Sequence, residues 1–153
     1  MTDIRFYHLT RSTVDEALPQ IVIKAMSRDM KIFVQTCDEG RVDDISAKLW
    51  SFSKTDFIPH GTSTNDPKGE DAVHQPLWIS DKDDNKNDAT LLMLSDGIQH
   101  DDPSQYEMMC YFFDGTNEKD VQAAREYWKA LKDKGLDLTY WQQDDRGSWA
   151  QKA

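Results

Sequence analysis

The chain has 153 residues, a formal net charge of −10, and hydrophobic residues at 38% of its positions. A chain of this length forms about one domain and can bury roughly two thirds of its unfolded surface without a disulfide or a structural metal. The negative charge excludes non-specific coating of nucleic acid or of an anionic membrane, because phosphate groups are repelled. No apolar run approaches the ~18 residues of a membrane span, and two cysteines stand far apart. These features predict a single soluble domain of the reducing cytoplasm.

The first third of the chain predicts two strand–helix pairs. Asp3–Leu9 alternates its side chains and is typical of a strand. Capping residues at positions 12–15 precede an apolar stripe that reaches Met26, which predicts a helix. Residues 31–36 predict a second strand, and residues 41–52 predict a second helix. This alternation favours an α/β fold with a mostly parallel sheet.

The rest of the chain predicts a long connection, further strands and one strong helix at residues 118–134. Residues 58–76 contain three prolines and two glycines and predict an irregular connection, a type that is usually functional or mobile at this length. Gly135 follows the strong helix as its expected C′ residue. We therefore expect one domain over residues 1–141 and a polar extension over residues 142–153. The strands are predicted at residues 77–80, 89–94, 106–113 and 136–141, and the helix at residues 118–134.

The turn between the first strand and the first helix lacks the glycines of a phosphate-binding loop. It reads Thr10-Arg11-Ser12-Thr13, whereas such a loop needs GxxxxGK[ST] or GxGxxG. The four histidines are scattered without metal-ligand spacing, so we expect neither a metal nor a cofactor. Acidic doublets such as Asp43-Asp44 keep one alternative open, a small nucleotide-processing enzyme that uses carboxylate and metal chemistry.

The helix predicted at residues 118–134 carries a basic stripe beside its apolar stripe. Arg125, Lys129 and Lys132 follow one another at steps of four and three, which places them on one face. Such a basic ridge on a strongly acidic chain favours docking of an anionic partner in one orientation. An ordinary solvated face, with these cations paired to neighbouring carboxylates, is the alternative interpretation. The apolar stripe is predicted from Val121, Ala124, Trp128 and Leu131.

An ordered set of short motifs runs through most of the chain. It comprises FYHL at residues 6–9, CDE at 37–39, LW at 49–50, FIPH at 57–60 and AREYWK at 124–129. Taken in this order, the motifs resemble the chi subunit family of bacterial DNA polymerase III, from residue 1 to about residue 141. The resemblance implies a three-layer α/β fold of mononucleotide-binding-like topology, with helices on both faces of the sheet. It also implies an accessory subunit of the clamp-loader complex with no catalysis of its own, cytoplasmic and near the nucleoid.

The resemblance further implies a partner, the acidic C-terminal tail of single-stranded DNA-binding protein. That tail ends in a proline–phenylalanine pair with a free carboxylate. By resemblance, Arg125 pairs with the carboxylate and Trp128 flanks the phenylalanine ring. Phe113 and Asp114 match the far wall of the pocket, while Lys129 and Lys132 attract the upstream aspartates of the tail.

A second partner surface is implied around residues 50–60. In the family the matching region takes part in binding the psi subunit. The resemblance also implies other clamp-loader subunits as partners. It implies that DNA is contacted only indirectly and that no membrane is contacted. Aromatic residues beside a proline turn are equally expected as core residues beneath the long connection, so both interpretations stay open. The residues concerned are Trp50, Phe57, Ile58, Pro59 and His60.

Overall fold

The computed structural model describes residues 2–52 and 58–153. Three helices and eight strands occur within these ranges, together with two short 3₁₀ turns. The helices are α1 (Val14–Met26), α2 (Glu39–Ser51) and α3 (Glu118–Asp133). The strands are β1 (Asp3–Leu9), β2 (Ile32–Gln35), β3 (Gly61–Thr62), β4 (Leu77–Ser80), β5 (Leu91–Leu94), β6 (Met108–Asp114), β7 (Leu138–Gln143) and β8 (Trp149–Gln151).

All eight strands form one sheet in the order β3-β4-β2-β5-β6-β1-β7-β8. Every pair is parallel except β7 with β8, which is antiparallel. Helices α1 and α2 cover one face of the sheet and α3 covers the other. The predicted three-layer α/β fold with a mostly parallel sheet is confirmed. None of the helices in the described part of the chain is both long and apolar enough to cross a membrane.

Strand β1 lies deep in the sheet and supplies both core layers. Tyr7 and Leu9 belong to the layer beneath α1 and α2, whereas Ile4 and Phe6 belong to the layer beneath α3. Successive side chains of a strand point to opposite faces, so a β1 buried on both sides carries an almost continuous apolar run. Full burial stabilises by about 1.5–3 kcal/mol for each large apolar side chain. Phe6, which is fully buried, thereby becomes part of the floor under α3.

Helix α3 begins at a strong cap and packs through a different aromatic residue than the sequence pattern predicts. The side-chain oxygen of Asn117 accepts hydrogen bonds from the first backbone N–H groups of the helix. Tyr127 is buried, and its hydroxyl accepts from the N–H of His100 at 3.0 Å and donates to the His100 carbonyl at 2.7 Å. Trp128, predicted for the core stripe, is only half-buried at the edge of the layer. Because its hydroxyl is satisfied by hydrogen bonds, the Tyr127 ring can lie between α3 and the sheet. The Trp128 indole lies at the edge of this layer, where it lines the same hollow as Arg125.

Part of the segment predicted as a polar tail is strand. Strand β7 continues to Gln143, and β8 returns beside it with Gln143 paired to Trp149. The intervening turn is held by the Asp144 carboxylate, which accepts from two backbone N–H groups at 2.8 and 2.9 Å. Gly147 supplies the positive φ of 79° that this turn requires. The chain therefore ends its sheet with a hairpin.

Candidate functional site

A hollow of about 390 Å³ opens between α3 and the neighbouring strands β1, β6 and β7. We call it the aromatic hollow. Phe6 and Phe113 come from adjacent strands, while Trp128 and Tyr140 stand on α3 and β7. The complete lining is Phe6, Phe113, Val121, Ala124, Arg125, Trp128, Tyr140, Lys152 and Ala153.

Strand register brings the aromatic rings of the hollow together. Phe6 is paired with Tyr140 across β1 and β7, and His8, two residues along the same face of β1, is paired with Phe113. The Trp128 ring stands edge-on to Phe6 at 5.2 Å and edge-on to Tyr140 at 6.0 Å. Edge-to-face pairs of this kind are worth about 0.5–1.5 kcal/mol beyond the area that they bury. The hollow is therefore preformed by regular secondary structure.

His8 and Tyr140 form a hydrogen bond beside the hollow, between the imidazole Nδ1 and the phenol hydroxyl. Burial lowers the pKa of His8 below its ordinary value, and the positive charge of Arg125 lowers it further. For Tyr140, whose charged form is an anion, burial raises the pKa, although the positive charge of Arg125 lowers it. Both groups are therefore uncharged at neutral pH, so this side of the site adds no charge to that of Arg125.

The charged side chains that line the aromatic hollow, those of Arg125 and Lys152, are both cationic. Arg125 is exposed, and within residues 2–52 and 58–153 neither Arg125 nor Lys129 takes part in an ion pair. No aspartate or glutamate side chain lines this hollow among the described residues. Arg125 and Val121 also line an open groove of about 750 Å³, together with Glu118, Lys119 and Glu126. The Arg125 guanidinium thus borders two concavities, and of these the aromatic hollow is the one without Asp or Glu side chains among its lining residues.

The structure brings some of the predicted site residues together and separates others. Arg125, Trp128 and Phe113 all line the aromatic hollow. Lys129 and Lys132 are exposed further along α3 and do not line it. Sequence reasoning missed Phe6, Tyr140 and Lys152. The alternation of β1 and β7 assigns Phe6 and Tyr140 to a face of the sheet but does not make them neighbours, and the Asp144–Gly147 turn is the signal for the hairpin that carries Lys152.

The residues predicted for a second partner surface differ in their exposure. Trp50 is 54% exposed, and its ring lies 4.8 Å from the His60 ring. Pro59 and His60 are partly exposed. Ile58 is only 2% exposed and packs in the core beneath α2. For this residue, the alternative that it is a core residue rather than part of a partner surface is therefore the correct one. Phe57 lies outside the described residues.

Two hydrogen bonds fix the orientation of the His60 ring in its neutral form. Its Nδ1–H donates to the Ile58 carbonyl and its Nε2 accepts from the Ser46 hydroxyl, both at 2.8 Å. Burial lowers the pKa of His60, although the bond to Ile58 acts in the opposite direction. The unfolded chain therefore binds a proton at a higher pH than the folded chain does. The stabilisation that depends on neutral His60 is complete above the unfolded pKa and is lost as pH falls toward the folded pKa.

We expect the change His60→Gln to reduce the acid sensitivity of the fold. Urea unfolding of the wild type and the variant at about pH 7.5 and about pH 5.5 measures this, because His titrates in that interval. The drop in unfolding free energy between the two pH values should be smaller in the variant. The exposed His74→Gln provides the matched control, and an equal drop in the wild type and His60→Gln would contradict the assignment.

The turn after β1, where a phosphate-binding loop would lie, is filled by a side chain of the protein. Gln143 is buried, and its Oε1 accepts from the backbone N–H groups of Thr10, Arg11 and Ser12 at 3.1, 3.0 and 3.2 Å. Its Nε2 donates to the Ser12 hydroxyl at 2.8 Å. Three convergent N–H groups are the usual donors to a phosphate, and here an amide oxygen satisfies them.

A cleft of about 570 Å³ beside this turn is strongly acidic. Arg41 lies in it and is bound by Asp15 at 2.6 Å, Asp96 at 3.1 Å and Asp44 at 3.4 Å. In the described part of the chain, no group of three or more His, Cys, Asp or Glu side chains is placed to hold a metal ion. The carboxylates that line the cleft belong to Asp15, Glu16, Asp96, Asp114 and Asp120.

Comparison with known proteins decides the family. The family model described as DNA polymerase III chi subunit, HolC, matches residues 1–139. The chain belongs to this family. The resemblance predicted from the ordered motifs is thus confirmed, and it associates the chain with DNA replication. Phe6, Phe113, Arg125 and Trp128 lie inside the matched region of the chi family, whereas Tyr140 and Lys152 lie beyond it.

A curated relative carries the same family name. It is "Probable DNA polymerase III subunit chi" from Rickettsia prowazekii (strain Madrid E), 29% identical over 94 residues. The aligned part is 61% of this chain and 54% of the relative. The chain therefore spans about half the length of the curated relative that it matches.

Proposed function

We propose that this chi-family chain is a non-catalytic accessory subunit of the DNA polymerase III clamp-loader complex. Its task in this proposal is to bind the acidic C-terminal tail of single-stranded DNA-binding protein in the cytoplasm, near the nucleoid, and so to contact DNA only indirectly. One observation supports the proposal most strongly. Arg125, exposed and outside any ion pair of the described residues, stands at the rim of an aromatic hollow lined by no Asp or Glu side chain.

The end of such a tail matches the hollow in chemistry and in size. A phenylalanine ring would enter between Trp128 and Phe113, where edge-to-face contacts are available to it. The terminal carboxylate would meet the Arg125 guanidinium, whose planar fork can donate two parallel hydrogen bonds to one carboxylate. Shape and charge thus select the same end of the peptide.

Lys129 and Lys132 contribute at longer range in this proposal. They are exposed along α3 beyond the hollow, where the upstream aspartates of a bound tail would lie. Exposed charges of this kind raise the association rate and are screened by salt, with little effect on dissociation. The net charge of −10 repels an acidic tail, so we expect a dissociation constant on the order of micromolar. Many tails on one coated strand would raise the effective affinity.

A second contact of the proposed complex would use the surface around Trp50. This large side chain is 54% exposed, its ring lies 4.8 Å from the His60 ring, and Pro59, the residue before His60, is partly exposed. Exposed aromatic residues in a cluster are typical of protein interfaces. We propose this surface for another clamp-loader subunit, such as psi where a lineage has one.

Residues 2–52 and 58–153 offer no observation in favour of the nucleotide-processing enzyme. The turn that would hold a phosphate is occupied by Gln143, and the cleft next to it is lined by five carboxylates against two guanidinium groups, those of Arg11 and Arg41. Like charges at this density repel an anionic substrate. The aromatic hollow therefore gives the better account of function.

Titration with labelled tail peptides tests the proposal. We expect the intact acidic peptide to bind and a peptide lacking its last two residues to bind at least about tenfold more weakly, which is about 1.4 kcal/mol. A peptide of the same composition with its acidic residues intact and its last two residues moved to the start is the matched control. Equal affinity for all three peptides, or no binding of the intact one, would overturn the proposal.

A further inference from the structure

The segment after β8, residues 152–153, closes one side of the aromatic hollow, and we call it the arm. Lys152 and Ala153 both line the hollow. The backbone N–H of Lys152 donates to the carbonyl of Tyr140 at 2.7 Å, and Tyr140 is itself a wall of the hollow. The position of Lys152 is therefore fixed by main-chain hydrogen bonding to the site, as well as by the β7–β8 pairing before it.

The hairpin is anchored on the opposite face of the sheet from the hollow. Trp149 packs with the core layer beneath α1 and α2, and its ring stands edge-on to Tyr7 at 4.9 Å. Lys152 follows three residues later, and an odd step along an extended chain reverses the face. The packing of the partly buried Trp149 thus holds the arm, while the alternation directs Lys152 to the side that α3 covers.

The arm forms a wall of the hollow and leaves the interior open. About 390 Å³ remains with Lys152 and Ala153 in place, which is enough for an aromatic side chain. A segment that competed with a ligand would instead fill this space with its own side chain. The geometry therefore favours a contribution to binding over competition with it.

Two cations now approach the hollow from different elements, Arg125 from α3 and Lys152 from the arm. No carboxylate side chain lines the hollow among residues 2–52 and 58–153. Charge complementarity for an anionic group entering between them is unusual on a chain with a net charge of −10. A ligand with one carboxylate at the entrance and one ring inside satisfies both cations and the aromatic lining.

We propose that Lys152 is the second cationic residue of this site and that it acts on the terminal carboxylate together with Arg125. This inference rests on the function proposed above. It goes beyond it, because Lys152 lies outside residues 1–139, the part of the chain that matches the chi family. In this proposal the arm adds Lys152, a residue that determines specificity for a carboxylate, to the site residues that lie within residues 1–139.

The test measures peptide binding by the wild type, Lys152→Ala and Lys152→Glu. Two labelled acidic peptides are used: one ends in phenylalanine with a free carboxylate, and the other is the same peptide with a C-terminal amide. We expect Lys152→Ala to weaken binding of the free carboxylate about threefold and Lys152→Glu about tenfold or more. Binding of the amidated peptide should change less than about twofold on Lys152→Ala. The matched control is Lys24→Ala, an exposed lysine on α1, which covers the opposite face of the sheet.

The outcomes separate this inference from the proposed function. If Arg125→Ala weakens binding and the Lys152 variants do not, the inference is overturned and the proposed function stands. Tighter binding by Lys152→Ala would show a competing arm, and equal losses on both peptides would show no carboxylate contact; either result overturns it. If the wild type fails to bind the free-carboxylate peptide, the proposed function and the inference fall together.

Discussion

Replacing Arg125 with alanine should weaken binding of the acidic tail peptide by about tenfold to a hundredfold. Hydrogen bonds to charged groups are worth about 1.5–3 kcal/mol, and a guanidinium at the rim of an apolar hollow retains more of this value than one surrounded by water. Arg125 forms no ion pair with any described residue, so its removal leaves no carboxylate without a partner. The fold should change by less than about 0.5 kcal/mol, since the side chain is exposed.

Fluorescence anisotropy with the labelled peptide measures this effect, and thermal unfolding checks the fold. Arg125→Lys keeps the charge but loses the planar fork, so we expect its affinity to fall between those of the wild type and Arg125→Ala. Lys24→Ala removes a positive charge from the opposite face and serves as the matched control. An affinity for Arg125→Ala equal to that of the wild type would remove Arg125 from the site.

Replacing Gln143 with alanine should destabilise the domain by about 2–4 kcal/mol, the largest loss of stability that we expect from a polar change. Three backbone N–H groups of the β1–α1 turn lose their common acceptor, and the Ser12 hydroxyl loses a donor. A buried donor without a partner costs about 1–3 kcal/mol, reduced here because water can reach part of the turn. Urea unfolding at constant pH measures the loss.

Two further variants make this test specific. Gln142→Ala changes the neighbouring residue, which points to the other face of β7, and should cost less than about 1 kcal/mol. Gln143→Glu keeps an oxygen acceptor for the three N–H groups and should retain most of the stability that Gln143→Ala loses. A Gln143→Ala variant within about 0.5 kcal/mol of the wild type would show that the turn does not depend on this side chain.

The fold could be predicted where the sequence is strongly periodic. Strand β1 and helix α3 have apolar residues at the spacing of their elements, and the structure places them within a few residues of the prediction. Strand β3 has two residues, too few for any periodicity, so residues 58–76 gave no indication of it. The inner position on α3 went to Tyr127 because His100, distant in sequence, satisfies its hydroxyl.

The candidate site was only partly predictable for a similar reason. Arg125, Trp128 and Phe113 lie within or near one helix, and the family resemblance indicates them. Phe6 and Tyr140 become neighbours only through the register of β1 with β7, which local patterns do not specify. Gln143 and Lys152 depend on a hairpin whose only signal is a short Asp-to-Gly turn.

A crystal structure of this chain with the acidic tail peptide bound tests the central claim most directly. We expect the phenylalanine ring inside the aromatic hollow, between Trp128 and Phe113, with the terminal carboxylate on the Arg125 guanidinium. A peptide seated in the acidic cleft around Arg41 or on the surface around Trp50, with the hollow empty, would contradict the account.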